Sequence, residues 1–337
     1  MRLVRTMAAM LLLTSSLTGT AFSQETKPLI IYVSGPLGVN PFLRQGWDGA
    51  QKAAAELGGE ARSFESADPT QHRQNLEAAA KAGANLIVSI TYEFNDILPE
   101  IAARYPSTKF LHIDSCPKDP AANITCVTFR EYEGSFLAGA EAALTTESGH
   151  VGAIAALDIP LLHRYTDSFA EGAKYAKPTV VVAPSLFVGG DRAFSDPARG
   201  QQRATSMLSD GVDRILTAAS GSDGGVFTAA ADFPGALGIG VDINECPLAP
   251  GSVLDNVEKR TDVAVYKSAL TVLKGTSVQQ SSLGVAEGAL TLTGLEPNVD
   301  GSQCEIAKYP EVIAKLRSIR EDIVSGKISV KDPMFAN

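Results

Sequence analysis

The residues in this chain that could do chemistry are a few carboxylates, aromatics and glycine-rich turns, each just after a short β-branched apolar run. Asn40 and Phe42 follow Leu29-Ile30-Ile31-Tyr32-Val33, Tyr92 follows Leu86 to Ile90, and Asp114 closes the run from Lys109. Later come Asp158, the stretch 189–196 with Phe194, Gly221 within Ser220 to Asp223, and Asp242 after Leu237 to Val241. Aromatics stack on a flat ring, carboxylates accept paired hydrogen bonds from hydroxyls or ring N–H groups, and glycine turns expose backbone donors. Such a set suits a neutral ligand with one planar part and one hydroxylated part.

Enzyme signatures are missing. There is no Gly-x-Ser-x-Gly elbow, no Walker loop and no Gly-x-Gly-x-x-Gly after a strand. The run Ser220 to Gly225 lacks the lysine and the spacing of a phosphate cradle. His72, His112, His150 and His163 are scattered, and none pairs with a nucleophile or a cysteine at metal-ligand spacing. Binding without catalysis, metal or cofactor is the expectation. Several picks have structural rivals. Phe42 and Phe194 could equally serve a core, Asp242 could cap a turn, Trp47 reads as core, and Asp196 before Pro197 reads as a helix N-cap.

These positions need a scaffold that gathers strand ends. From Pro28 onward, β-branched runs alternate with amphipathic stretches such as 41–57, 70–82 and 97–105, and the alternation recurs over 151–242. Strands apolar on both faces belong inside parallel sheets covered by helices. The expected fold class is therefore α/β: two doubly wound parallel-sheet lobes with a hinge and a central cleft, because ligands bind beyond the carboxyl ends of such strands. Three crossings are expected, at 124–134, 244–251 and 285–292. They divide the chain into residues 27–129 plus 246–283 as lobe 1, and 130–245 plus 284–333 as lobe 2, with the last helix, 310–324, on lobe 2.

The 337 residues are ample for two cores. Arg2 and Arg5, the apolar run Met7 to Leu13 and the small residues Ala21 and Ser23 form a secretory signal at residues 1–23, cleaved near Ser23. No cysteine lies near that point, so no lipid anchor is expected, and periplasmic release is. Losing Arg2 and Arg5 takes the formal charge from −9 to about −11, which repels phosphate backbones and argues against nucleic acid. Cys116, Cys126, Cys246 and Cys304 are an even set in an exported chain, which favours disulfides. Cys116 with Cys126, flanking a Pro-containing loop, is the first pair and Cys246 with Cys304 the remainder. The count alone allows other connectivities.

Several segments resemble the basic membrane protein family, the nucleoside-binding receptors of ABC importers typified by the purine nucleoside receptor. They are Phe129-Arg-Glu-Tyr-Glu-Gly-Ser-Phe-Leu-Ala-Gly139 with Ala142-Ala143-Leu144, Tyr105-Pro106 with Lys109-Phe110 and Asp114, and Phe194-Ser-Asp-Pro-Ala-Arg-Gly200. Gly240-Val241-Asp242, Pro250 to Leu254 and Lys259-Arg260 complete the set. The resemblance implies a type I periplasmic binding fold and a monomeric receptor that hands a nucleoside or nucleobase to an ABC permease. It also implies that Asp242 holds ribose hydroxyls with Lys259 beside it, that Phe42 and Phe194 sandwich the base, and that Asp114 reads its polar edge. Asn40 and Tyr92 follow from position. The run Ser34 to Phe42 keeps an aromatic but lacks the family's Asp-x-Gly and Ser-Phe-Asn order, so the ring stays open between purine and another. The alternatives are a sugar receptor of the same fold, an exported nucleoside hydrolase, and a partner of a chemoreceptor.

Overall fold

The computed structural model describes residues 27–38 and 40–335, and the expected signal segment with its cleavage point lies outside the described residues. The first apolar runs become β1 (Leu29–Ser34), β2 (Glu60–Glu65), β3 (Leu86–Ile90), β4 (Lys109–Ile113) and β5 (Ile124–Phe129). Between the first four lie α1 (Pro41–Glu56), α2 (Pro69–Lys81) and α3 (Leu98–Arg104). The second half runs α4 (Glu131–Thr145), β6 (His150–Ala155), α5 (Pro160–Ala176), β7 (Val181–Val182), β8 (Leu186–Phe187) and α6 (Pro197–Ser209). It continues through β9 (Arg214–Ala218), α7 (Asp223–Asp232), β10 (Leu237–Asp242) and β11 (Val253–Lys259). The chain then returns as α8 (Thr261–Lys274) and β12 (Gln280–Leu283), and ends with β13 (Leu290–Leu292) and α9 (Pro310–Val324).

Two sheets result. The first has the order β12-β5-β4-β3-β1-β2 and is wholly parallel. The second has the order β13-β11-β10-β9-β6-β7, with β8 also on β6, and only β13 runs antiparallel. β3 is buried at all five positions and β9 likewise, as strands covered by helices on both faces must be.

Sheet pairing moves one expected crossing. Residues 253–259, assigned above to lobe 1, pair with β10 in the second sheet, so the chain passes back at Lys259–Thr261 and not at 244–251. The physical reason is that the 244–251 loop is tied to the second sheet's side. Cys246 is bonded to Cys304, and Asn244 donates to the Ser302 carbonyl at 3.0 Å. The other pair is Cys116–Cys126, so both disulfides match the first pairing weighed. The apolar stretch 180–187 splits into β7 and β8 around Pro184, which has no N–H to give a ladder.

Local chemistry sets the helix starts. Asn40, Asp68 and Asp196 each accept a backbone N–H from the first turn, and each is followed by proline. Where α4 meets α5, Gly139 faces the Phe169 carbonyl and Gly172 faces that of Phe136. A Cβ at either glycine would collide with backbone, so the two helices can approach this closely only here without side chains. The last helix, α9, lies against α4 on the second-sheet side.

Candidate functional site

The carboxyl ends of four central strands carry residues in a backbone conformation that side chains rarely adopt. Thr91 after β3, Asp114 after β4, Ser220 after β9 and Asp242 at the end of β10 have φ of 80°, 77°, 52° and 71°. All four line the same cleft between the lobes. Left-handed backbone at non-glycine residues costs on the order of 1–3 kcal/mol each and persists where the surroundings over-determine it. Here it turns two carboxylates and two hydroxyls towards one space.

That space is about 830 Å³, part of it open to solvent. Of the residues expected to contact a ligand, Asn40, Phe42, Tyr92, Asp114, Phe194, Asp242 and Lys259 all line it. Gly221 does not; its neighbour Ser220 does, and the Ser220 hydroxyl donates to Asn40 Oδ1 at 3.1 Å. The same oxygen caps α1 by accepting from Phe42 N at 3.0 Å. The N-cap of a first-lobe helix thus also holds a second-lobe turn.

The electrostatic centre is Lys259, only 4% exposed. Its Nζ lies 2.5 Å from Asp114 Oδ1, as an ion pair and not as an aligned hydrogen bond, and donates to Glu131 Oε1 at 3.1 Å. The rings of Phe42 and Phe129 stand 4.8 and 5.1 Å from the ammonium, within cation–π range. Burial works against the charge on Lys259, but Asp114, Tyr165, Glu131 and Asp242 outweigh it and hold the lysine pKa well above its usual range. Glu131 is pushed up by its complete burial, with Lys259 and Arg164 opposing. Arg164 donates to Glu131 at 3.1 Å and to the Phe129 carbonyl at 3.2 Å, and also pairs with Asp332.

Asp242 is different. Among the described residues its side chain makes no hydrogen bond, and burial lifts its pKa from 3.8 to about 6 against the pull of Lys259. A carboxylate in this state has unused acceptor capacity and gains from any donor a ligand brings.

Sequence reasoning missed Glu131, Tyr165 and His72. Glu131 stood inside the quoted run from Phe129, but nothing local shows that a residue at a helix start will meet a lysine 128 positions on. Tyr165 and Leu162 arrive on the first turns of α5 and line the cleft. Of the other histidines, His112 is buried in a network with Ser89, Asn95 and Ser115, and burial lowers its pKa to about 4. His163 pairs with Asp158 and Asp167, partly exposed.

The hinge is held by Arg130. Its Nε donates to Glu133 at 2.6 Å, and its other nitrogens reach Glu287 and the Ser282 carbonyl, tying the start of α4 to β12 and the segment after it. Residues 27–333, nearly everything described, match the family whose description reads ABC transporter substrate-binding protein PnrA-like. The chain belongs to this family. The chain is 27% identical to the ABC transporter nucleoside-binding protein BmpA of Lactococcus lactis, over 93% of this chain and 92% of that one. It is 29% identical to basic membrane protein A of Borreliella burgdorferi, over 93% and 88%. An ABC transporter solute-binding protein from Aeropyrum pernix superposes with a TM-score of 0.75 at 25% identity, covering 90% and 92% of the two chains. The chain thus has the periplasmic binding protein fold and is an ABC transporter substrate-binding protein.

Proposed function

We propose that this receptor captures a nucleoside, with a purine ring as first choice, or a nucleobase in the interlobe cleft and delivers it to its permease. The observation that carries this reading is the state of Asp242. It is a cleft carboxylate without a side-chain partner among the described residues, in a space lined by Phe42 from one lobe and Phe194 from the other. A carboxylate accepts two vicinal hydroxyls well, and aromatic rings complement a flat heterocycle. Phe42 and Phe194 would sandwich the base and Asp114 would read its polar edge, with Lys259 beside Asp242 and with Asn40 and Tyr92 as further contacts. Gly221 would act only through its neighbour Ser220. The name of the Lactococcus relative supports the same ligand class.

On this reading the protein is exported and monomeric. It works by closure: the ligand bridges both half-sites, and the permease reads the closed form. Thermal unfolding against nucleosides, nucleobases and sugars tests it, since a ligand that binds only the native state raises the midpoint with the logarithm of its concentration over Kd. A shift with a nucleoside is expected. A shift with sugars alone would overturn the ligand and leave the fold.

A further inference from the structure

His72 is a cleft residue to which the reading above gives no role. It sits in the first turns of α2, beyond the carboxyl end of β2, lines the cleft and is only 9% exposed. Its ring leans on Phe94 with centroids 4.6 Å apart and planes at 40°, which restricts its orientation. Nδ1 is sealed from solvent and has no hydrogen-bond partner among the described residues. Nε2 has none among them either and is not sealed, and His72 lines the cleft.

The ring is neutral at physiological pH, because burial lowers its pKa against the opposing pull of Glu93 and Asp68. A neutral imidazole carries one proton. On Nδ1, that proton would be a buried N–H with no acceptor, a rare and costly state. On Nε2, only a lone pair is left unpaired inside, and the N–H is offered to the cleft. The second tautomer is the cheaper one.

We propose that His72 is a specificity-determining residue whose Nε2–H donates to an acceptor on the ligand's planar ring, a carbonyl oxygen or an unprotonated ring nitrogen. The inference rests on the nucleoside reading and adds to it. Asp242, on the second lobe, accepts from the hydroxylated part, while His72 reads the ring from the first lobe. On the first lobe, α2 supplies a polar group on that side of the cleft.

The test is a binding panel by calorimetry, using inosine, guanosine, adenosine, uridine and cytidine with wild type, His72→Phe and His72→Gln. Phenylalanine keeps a ring against Phe94 without a donor, and glutamine places an N–H close to where Nε2 lies. The tightest wild-type ligand should bind His72→Phe roughly 10-fold more weakly, the loss expected for one buried hydrogen bond, and His72→Gln should recover most of it. Analogues of that ligand lacking one ring acceptor at a time add a double-mutant cycle. One of them should bind wild type and His72→Phe equally, whereas a merely structural histidine would weaken every analogue alike. Equal binding of the parent ligand by wild type and His72→Phe, or a uniform loss across all analogues, overturns the proposal and leaves the nucleoside reading standing. Failure of wild type to bind any nucleoside of the panel or any of the corresponding nucleobases overturns both.

Discussion

Lys259 Nζ and Asp114 Oδ1 stand 2.5 Å apart, which joins the end of β11 in the second sheet to the end of β4 in the first. The pair sits where the chain passes back between lobes, so it stabilises their approach as well as the cleft. Removing the ammonium leaves Asp114 and the fully buried Glu131 without their shared cation. Lys259→Met is therefore expected to destabilise the ligand-free protein by about 3 kcal/mol or more in urea unfolding. Its radius of gyration in small-angle scattering should also rise, because the interlobe tie is gone.

Asp242→Asn separates binding from stability. The ionised carboxylate is uncomfortable in the empty cleft, so the amide should raise the thermal midpoint of the ligand-free protein. Ligand affinity should fall by about 10-fold or more, since charge-assisted hydrogen bonds are worth about 1.5–3 kcal/mol each. A variant that lost stability and kept affinity would contradict the role given to Asp242.

The same carboxylate sets a pH dependence. Between its ordinary value of 3.8 and about 6, Asp242 holds a proton in the folded protein that the unfolded chain has lost. Raising pH through that window therefore lowers the stability of the ligand-free protein through this group. Ligand hydroxyls need the ionised form, so calorimetric affinity should fall as pH drops below about 6, and Asp242→Asn should flatten the profile.

The buried acids of the second lobe make a separate prediction. Burial pushes Glu141 well above the carboxylate range and, for the same first reason, lifts Asp255 to about 7, while Asp255 accepts from the backbone of Asn256 and Gly294. Burial and the neighbouring Asp255 favour the protonated form of Glu141. Glu141→Gln preserves a donor there and should change unfolding free energy by less than about 1 kcal/mol, whereas Glu141→Ala should cost about 2 kcal/mol or more.

The two disulfides close loops of different length, with sequence separations of 58 for Cys246–Cys304 and 10 for Cys116–Cys126. Loop-closure entropy assigns about 4 kcal/mol to the first and about 3 kcal/mol to the second. Paired replacement by serine, followed by denaturant unfolding, should rank them in that order.

How much of this was legible before folding follows from which forces are local. Capping is local, so Asp196 before Pro197 was readable as an N-cap, and Arg199 N does bond to it. Strand ends are local too, which is why Phe42, Tyr92, Asp114 and Asp242 could be nominated from apolar runs alone. α4 was not legible as a helix: twelve of its fifteen residues are buried, so it has no polar stripe to mark its period.

Composition and periodicity by themselves determined the fold class, the doubled α/β plan and the strand-end residues, because burying apolar runs between helices leaves few arrangements. Only the tertiary structure decided that β11 joins the second sheet, that Lys259 is claimed by Asp114 and Glu131, and that Asp242 and His72 have no hydrogen-bond partner for their side chains among the described residues. Pairing energies act through space between residues far apart in the chain. The identity of the partner, and whether a polar group has one at all, is fixed when the sheets close over it.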